Sequence, residues 1–377
     1  MTAVVLRCDQ SVLGAIEEQL RSIRFVELLF LKHIAEIRIE TPNIQRHIRV
    51  IPSNPFRIED NDKTSSWRVW RKEGALAQND GSQKHYELAI AYSEDPEVRE
   101  LLKKEGCLYS FFKTEVPMRM PFLVHGTFEL TSERNGLEKD NDNNRRLLSI
   151  LTDFIVEIGE EIAHKRESAD YAALMFVLPP TNGYFNGGYD FYGELKSKIK
   201  GCRLFPSIRG EYLSLEDNPR YSLNRFDEVL NKEDFRALLI HCEDPRVEPF
   251  LSECRIFFYE CGEFCKLINP RAEEYILSGT NVEIIHLYHE EFGSEVSFAP
   301  YLLVDSEGKR ITDRSLKIFN NPTEAFALPS WSTMRFIDAK LWARLSEALE
   351  ISRANDLAKA LRRLTWKNIP LIRWSLR

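Results

Sequence analysis

Residues Thr131-Ser132-Glu133-Arg134-Asn135-Gly136 gather a hydroxyl, a guanidinium and a carboxamide in one short polar stretch. They follow Pro121–Leu130, where Phe122, Val124, Gly126, Phe128 and Leu130 recur with the two-residue period of a strand. Two chemistries fit such a strand end. Ser, Asn and Gly close turns by bonding nearby backbone, and an arginine among them then only caps the turn. Alternatively the strand holds out a planar, permanently charged guanidinium to an anionic oxygen, such as that of a phosphate. Arg134 is the candidate for that contact, with Ser132 and Asn135 beside it.

Other clusters carry less. Cys242, Cys254, Cys261 and Cys265 lie close together with His241. Zinc sites favour short pairs of two to four intervening residues, and only Cys261-Gly-Glu-Phe-Cys265 approaches that. Buried free cysteines are the expectation. His286, His289, Glu290 and Glu291 continue the apolar run Val282–Leu287, which reads as a strand. Two histidines three apart on a strand face opposite sides, so no metal site is expected. No P-loop, Gly-x-Ser-x-Gly or dinucleotide fingerprint occurs, and Gly187-Gly188 reads as boundary glycines.

The elements that must position the polar stretch follow from periodicity. Leu13, Ile16, Leu20 and Ile23 predict a helix over 12–23, with Ser11 as its cap. The segment 25–40 reads as a short helix running into a strand near Ile37–Ile39. Residues 47–53 and 65–74 read as meander strands, although Trp67, Val69 and Trp70 do not alternate cleanly. Residues 85–93 read as a strand or short helix, 96–104 as a helix and 106–115 as a strand rich in aromatics. Leu147, Leu148, Ile150, Leu151, Phe154, Ile155 and Ile158 predict a long helix over 143–168. Phe111, Phe112, Phe122, Val124 and Phe128 are expected in adjacent strands of one sheet, with this helix packed on it.

The stretch 178–191, with two prolines and three glycines, reads as a domain boundary. Beyond it come a helix at 191–200, a strand pair turning at Arg209-Gly210, further αβ units, and a helical end from Ile337 to Leu364. The expected fold is α+β with two domains. Residues 1–178 form a mixed sheet with crossing helices, and 179–377 form a second α/β domain with a helical C-terminus. The 377 residues fit that division.

Composition narrows the function. Against 51 Lys+Arg stand 58 Asp+Glu, a net charge of -7 that argues against a dedicated nucleic-acid binder. Arg145-Arg146 and the basic, tryptophan-containing tail after Lys359 are local exceptions, and the tail reads equally as an amphipathic helix. The seven scattered cysteines point to a reducing, cytoplasmic setting. No apolar run is long enough to span a membrane.

The segment "LYSFFKTEVPMRMPFLVHGTFELTSERNGLEKDNDNNRRLL" resembles the second, transducer or middle, domain of GHKL-type ATPases. The resemblance lies on the branch of sacsin-like proteins and the ninety-kilodalton heat-shock chaperones. It covers about residues 1–165 and returns at "LFPSIRGEYLSLED". It implies a GHKL transducer-like first domain in which Leu130 and Arg134 hold the family's strand-end positions, with Arg134 reaching the γ-phosphate of ATP. Ser132, Asn135 and Lys113 are then neighbouring contacts. The magnesium-binding helix, the Asp-x-Gly-x-Gly loop and the glycine-rich lid of the family's ATP-binding domain are absent from the sequence. Met1–Leu6 resembles that domain's last strand, so the chain reads as a fragment that is inactive alone. ATP and Mg are expected cofactors of the full-length protein, none being expected in this chain. The implied partner is a GHKL ATP-binding domain, in the same gene or a separate chain, with a homodimer allowed for. The rival expectation is a non-enzymatic interaction module, for example in a bacterial defence complex.

Overall fold

The computed structural model describes residues 4–5, 7–22, 26–61, 63–78, 80–181, 183, 185, 189–292, 300–312, 317–319 and 334–349. The architecture is α+β, and the chain divides into two compact units. The first comprises Met1–Arg166 and Ala172–Leu204, the second Glu167–Tyr171 and Phe205–Arg377.

The first unit begins with helix α1 (Gln10–Ser22) and continues into the meander β1 (Glu36–Glu40), β2 (Gln45–Ile51), β3 (Phe56–Asp60), β4 (Lys63–Ala77) and β5 (Gln83–Ser93). Helix α2 (Pro96–Glu105) leads to β6 (Cys107–Ser110), β7 (Phe112–Pro117) and β8 (Leu123–Gly126). These strands form one eight-stranded sheet in the order β1-β2-β3-β4-β5-β8-β6-β7. All pairings are antiparallel except β6 with β8, so the sheet is mixed.

The long strand β4 explains why Trp67, Val69 and Trp70 do not alternate cleanly: both of its faces are covered. Trp67 packs with Leu28, Leu29 and Phe30 on one side. On the other side Trp70 meets Phe176 edge-on at 5.9 Å, and the Lys72 ammonium lies 5.5 Å from the Phe154 ring. Phe154 belongs to helix α3 (Asp142–His164) and Phe176 to α4 (Ala172–Val177). Helix α3 starts at Asn141, whose side chain accepts from Asn144 N–H. It buries Leu147, Leu151, Phe154 and Ile158, the expected stripe. Helix α5 (Phe191–Ile199) completes the unit.

Three expectations need correction. Among the described residues of 25–40 the helical part is only a single 3₁₀ turn, Val26–Leu29, because Leu28, Leu29 and Phe30 bury themselves against the sheet, while the strand near Ile37–Ile39 is β1. The segment 106–115 is not one strand but the hairpin β6–β7, broken at Phe111 with φ +63°. Phe111 and Phe112 are therefore 42% and 66% exposed rather than in the core, whereas Phe122, Val124 and Phe128 are buried as expected. In the second unit the run Val282–Leu287 belongs to a helix, Asn281–Phe292, not to a strand. An apolar run has no period that separates a buried strand from a helix buried on several sides.

That second unit carries the short pair β9 (Phe205–Pro206) and β10 (Tyr212–Leu213), turning at Gly210 with φ +90°. Helices α6 (Val247–Glu253), α7 (Cys261–Ile268), α8 (Ala272–Ser278) and α9 (Asn281–Phe292) follow. A parallel pair, β11 (Lys317–Phe319) with β12 (Met334–Phe336), and α10 (Ala339–Ala348) come last. The expected αβ repetition gives way to mainly helical structure around an aromatic cluster that includes Phe226, Phe235, Phe264 and Tyr288. Helix α10 lies within the expected C-terminal helix; residues 350–364 of that expectation are outside the described residues, as are most of Met1–Leu6, Gly187-Gly188 and the basic tail. Among the described residues, no helix is long and apolar enough to cross a membrane.

Candidate functional site

The polar stretch is placed by two anchors, one at each side of its turn. The ladder between β5 and β8 ends at the pair Leu88↔Gly126. A Cβ on Gly126 would stand 2.3 Å from the Phe128 ring and 2.8 Å from Leu88, so any larger residue here would have to displace one of these buried side chains. Beyond it the chain is carried by Asn144 on α3. This fully buried amide accepts from Glu129 N–H through Oδ1 at 2.8 Å and donates to Glu129 C=O through Nδ2 at 2.8 Å. It thus satisfies both backbone groups of Glu129, as a neighbouring strand would.

Leu130 then pairs with Leu137 in an isolated antiparallel bridge, and the six residues between them form the turn. Thr131 N–H donates to Gly136 C=O at 2.9 Å and Arg134 N–H to Thr131 C=O at 2.8 Å. The Thr131 hydroxyl donates to Asn135 Oδ1 at 3.1 Å. Arg134 adopts φ +59°, the left-handed region that side chains other than glycine and asparagine seldom enter. The second anchor is β7, the edge strand, where Glu115 N–H donates to Asn135 C=O at 2.7 Å.

The candidate residues fare differently. Asn135 is engaged in the turn, its Nδ2 also within 3.4 Å of Glu133 Oε2. Ser132 is exposed. Arg134 is exposed, and its guanidinium makes no ion pair or hydrogen bond among the described residues. The nearest carboxylates in sequence go elsewhere: Glu133 to Asn135, and Glu129 to Lys84 at 2.6 Å and to Asn143 at 2.7 Å. The Lys84 and Asn143 bonds hold the Glu129 carboxyl below its usual range. Lys113 lies on β7, two residues before the Glu115 contact, and is exposed without an ion pair among the described residues. The sheet edge therefore places one lysine on the strand to which the arginine's turn is tied. Arg145 and Arg146 are engaged, with Asp142 at 2.5 Å and the Ala77 carbonyl at 2.7 Å.

Two residues the sequence did not single out shape this region. Asn144 is one, and its signal was only a polar residue at the start of an apolar helix stripe. His125 is the other, a fully buried imidazole in β8. Its ring stacks on Phe30 at 5.1 Å and meets Phe111 edge-on at 5.2 Å. Burial drives its pKa down to about 4.

In the second unit Cys261 and Cys265 are buried on α7 against the Tyr288 hydroxyl, 2.6 Å and 4.0 Å away. Among the described residues no group of three or more His, Cys, Asp or Glu side chains could hold a metal ion. His286 and His289 lie on α9, and His286 Nε2 pairs with Glu290 at 3.5 Å. The chain matches no protein-family model, and no curated protein matches it significantly.

Proposed function

We propose that this chain is the transducer portion of a GHKL ATPase of the sacsin or heat-shock type, and that Arg134 is its phosphate-sensing residue. One observation carries the reading: the turn is closed by backbone, Thr131 and Asn135, while the Arg134 side chain takes no part in closing it. A turn-capping arginine would be engaged with the turn's carbonyls or with Glu129 or Glu133. This one is presented to solvent at the end of a rigidly anchored strand, on the same sheet edge as Lys113. A guanidinium so presented can bond two oxygens of one phosphoryl group and stabilise the charge that develops there during transfer. Ser132, exposed two residues before it, is a further donor to the same anion. ATP and Mg would be held by a GHKL ATP-binding domain, and this chain would report and complete the hydrolysis-competent state.

The test has two arms. Titrated alone with Mg-ATP, the chain neither binds nor hydrolyses nucleotide. Joined to its ATP-binding domain it supports hydrolysis, which Arg134→Ala slows about a hundredfold while nucleotide binding is kept. Tight ATP binding by the isolated chain, or an Arg134→Ala protein that hydrolyses at the wild-type rate, would overturn the proposal. The second outcome would favour the rival reading, a non-enzymatic interaction module, to which the exposed Phe111 and Phe112 rings also speak.

A further inference from the structure

The hairpin that carries Lys113 has an unusual tip. Phe111 stands alone between the paired residues Ser110 and Phe112, and its φ of +63° is rare for a bulky side chain. What holds it there is His125. The Phe111 N–H donates to His125 Nδ1 at 3.2 Å, and the two rings meet edge-on. Since Nδ1 accepts, the proton of the neutral ring resides on Nε2. That Nε2 is buried and has no hydrogen-bond partner among the described residues. A phenylalanine would fill the space behind Phe111 without this orphaned donor, and an asparagine would supply the acceptor. Histidine does both, and it alone can lose its acceptor by taking up a proton.

We propose that His125 is the catch of a two-position hairpin tip: Ser110–Phe112 is shut while Nδ1 accepts from Phe111, and released when that nitrogen is protonated. A protonated imidazole has two donors and no acceptor, so Nδ1–H then faces another N–H. Every charged group around the ring bears on this step. Burial between Phe30 and Phe111 opposes protonation most strongly; Glu87 on β5 favours it, Arg71 on β4 and Lys32 oppose it, and the Tyr109 carbonyl favours it. Glu87 is itself shared between Arg71 at 2.9 Å and Lys32 at 3.0 Å. Release is local because Lys113 stays paired with Tyr109 and Glu115 tied to Asn135, so the part of β7 that moves is the part carrying Phe112.

The experiment follows hydrogen exchange of the Phe111 amide from pH 7 to pH 3.5, corrected for intrinsic rates, in the wild type, His125→Asn and His125→Phe. Amides of Leu88–Ala91 report whether the sheet stays folded. At pH 7 the Phe111 amide is protected in the wild type and in His125→Asn, and exchanges at least about tenfold faster in His125→Phe, the effect of one lost hydrogen bond. Below about pH 4 the wild type loses that protection while Leu88–Ala91 keep theirs, and His125→Asn keeps both. The proposal is overturned by an unprotected wild-type Phe111 at neutral pH, by loss of the tip and the sheet together, or by a His125→Asn tip that titrates as the wild type does. Should His125→Phe not fold, the comparison of wild type with His125→Asn decides alone.

Discussion

His125 and Arg134 lie nine residues apart on one strand and its turn, and they meet water in opposite ways. His125 is wholly buried, bonds its backbone neighbour through one nitrogen and leaves the other orphaned. Arg134 is exposed, adopts a left-handed backbone conformation, and bonds nothing with its charge among the described residues. Both choices cost stability, through an unsatisfied donor in one case and backbone strain in the other. Neither residue is what packing alone would select. The difference is in what each could act upon. An orphaned group in the interior can respond only to a proton or to movement of its neighbours, whereas an unpaired exposed cation is free for an external anion. Unusual residues on a rigid strand thus point to a device inside the protein at one end and to recognition at the other.

This contrast depends on the sheet being a stiff frame, and its largest test is the removal of a frame residue. Phe122 is 1% exposed and its ring lies 4.6 Å from that of Phe176. Phe122→Ala is expected to destabilise the first unit by about 3–5 kcal/mol, through lost transfer energy and the cavity left behind. Hydrogen exchange of the Leu88–Ala91 amides, which lie on the neighbouring strand, measures it. A loss under about 1 kcal/mol would mean the frame can relax, and the contrast between the two ends would lose its basis.

The buried end makes a pH-dependent contribution whose sign is fixed. The folded-state pKa of about 4 lies below the roughly 6.5 of an unfolded histidine, so the folded protein binds fewer protons between those values. The contribution of neutral His125 is therefore whole above pH 6.5, declines as the pH falls towards 4, and is gone below it. The expected decline is about 3 kcal/mol, an order-of-magnitude figure for a buried ring. His125→Asn should flatten it, so the wild-type and variant stabilities converge as the pH drops. Parallel pH curves for the two proteins would show that the ring titrates alike folded and unfolded.

How much of this could be read beforehand differs between the elements. The helix at 143–164 was legible because one wet face and one dry face give a 3.6-residue stripe. The strand at 121–130 was legible at the residues that are now buried, although its ladder stops at Gly126 and Asn144 carries the chain further. The hairpin at Phe111 was not, since nothing in "LYSFFKTE" marks a left-handed residue; the group that accepts its N–H, His125, lies fourteen residues away. The apolar runs of the second unit suggest αβ units because they lack polar interruptions, a feature that helices around an aromatic cluster share with buried strands. In the candidate site the turn and its residue types were visible, but not that Asn135 is engaged and Arg134 unengaged. That depends on which carboxylates find other partners, and Lys84, to which Glu129 turns, is 45 residues away in sequence.

The smallest expected effect bears most directly on the exposed end. At φ +59°, the Arg134 side chain crowds its own carbonyl, a cost of about 1–2 kcal/mol that glycine does not incur. Glycine loses more chain entropy on folding, by roughly 0.5–1 kcal/mol. Because the side chain makes no hydrogen bond or ion pair among the described residues, Arg134→Gly should leave stability unchanged or raise it by up to about 1.5 kcal/mol. Arg134→Ala keeps the strain and should stay close to the wild type. Denaturant unfolding of the three proteins, read at the amides of β5 and β8, ranks them. On the proposed function, the same glycine variant, joined to a GHKL ATP-binding domain, should hydrolyse ATP as slowly as the alanine variant, and Arg134→Lys should recover only part of the rate because it lacks the planar fork. Stability and activity would then move in opposite directions at one residue, as expected where strain is retained for function. A destabilised Arg134→Gly would show instead that the guanidinium holds the turn, and the contrast with His125 would reduce to two ways of building the same strand.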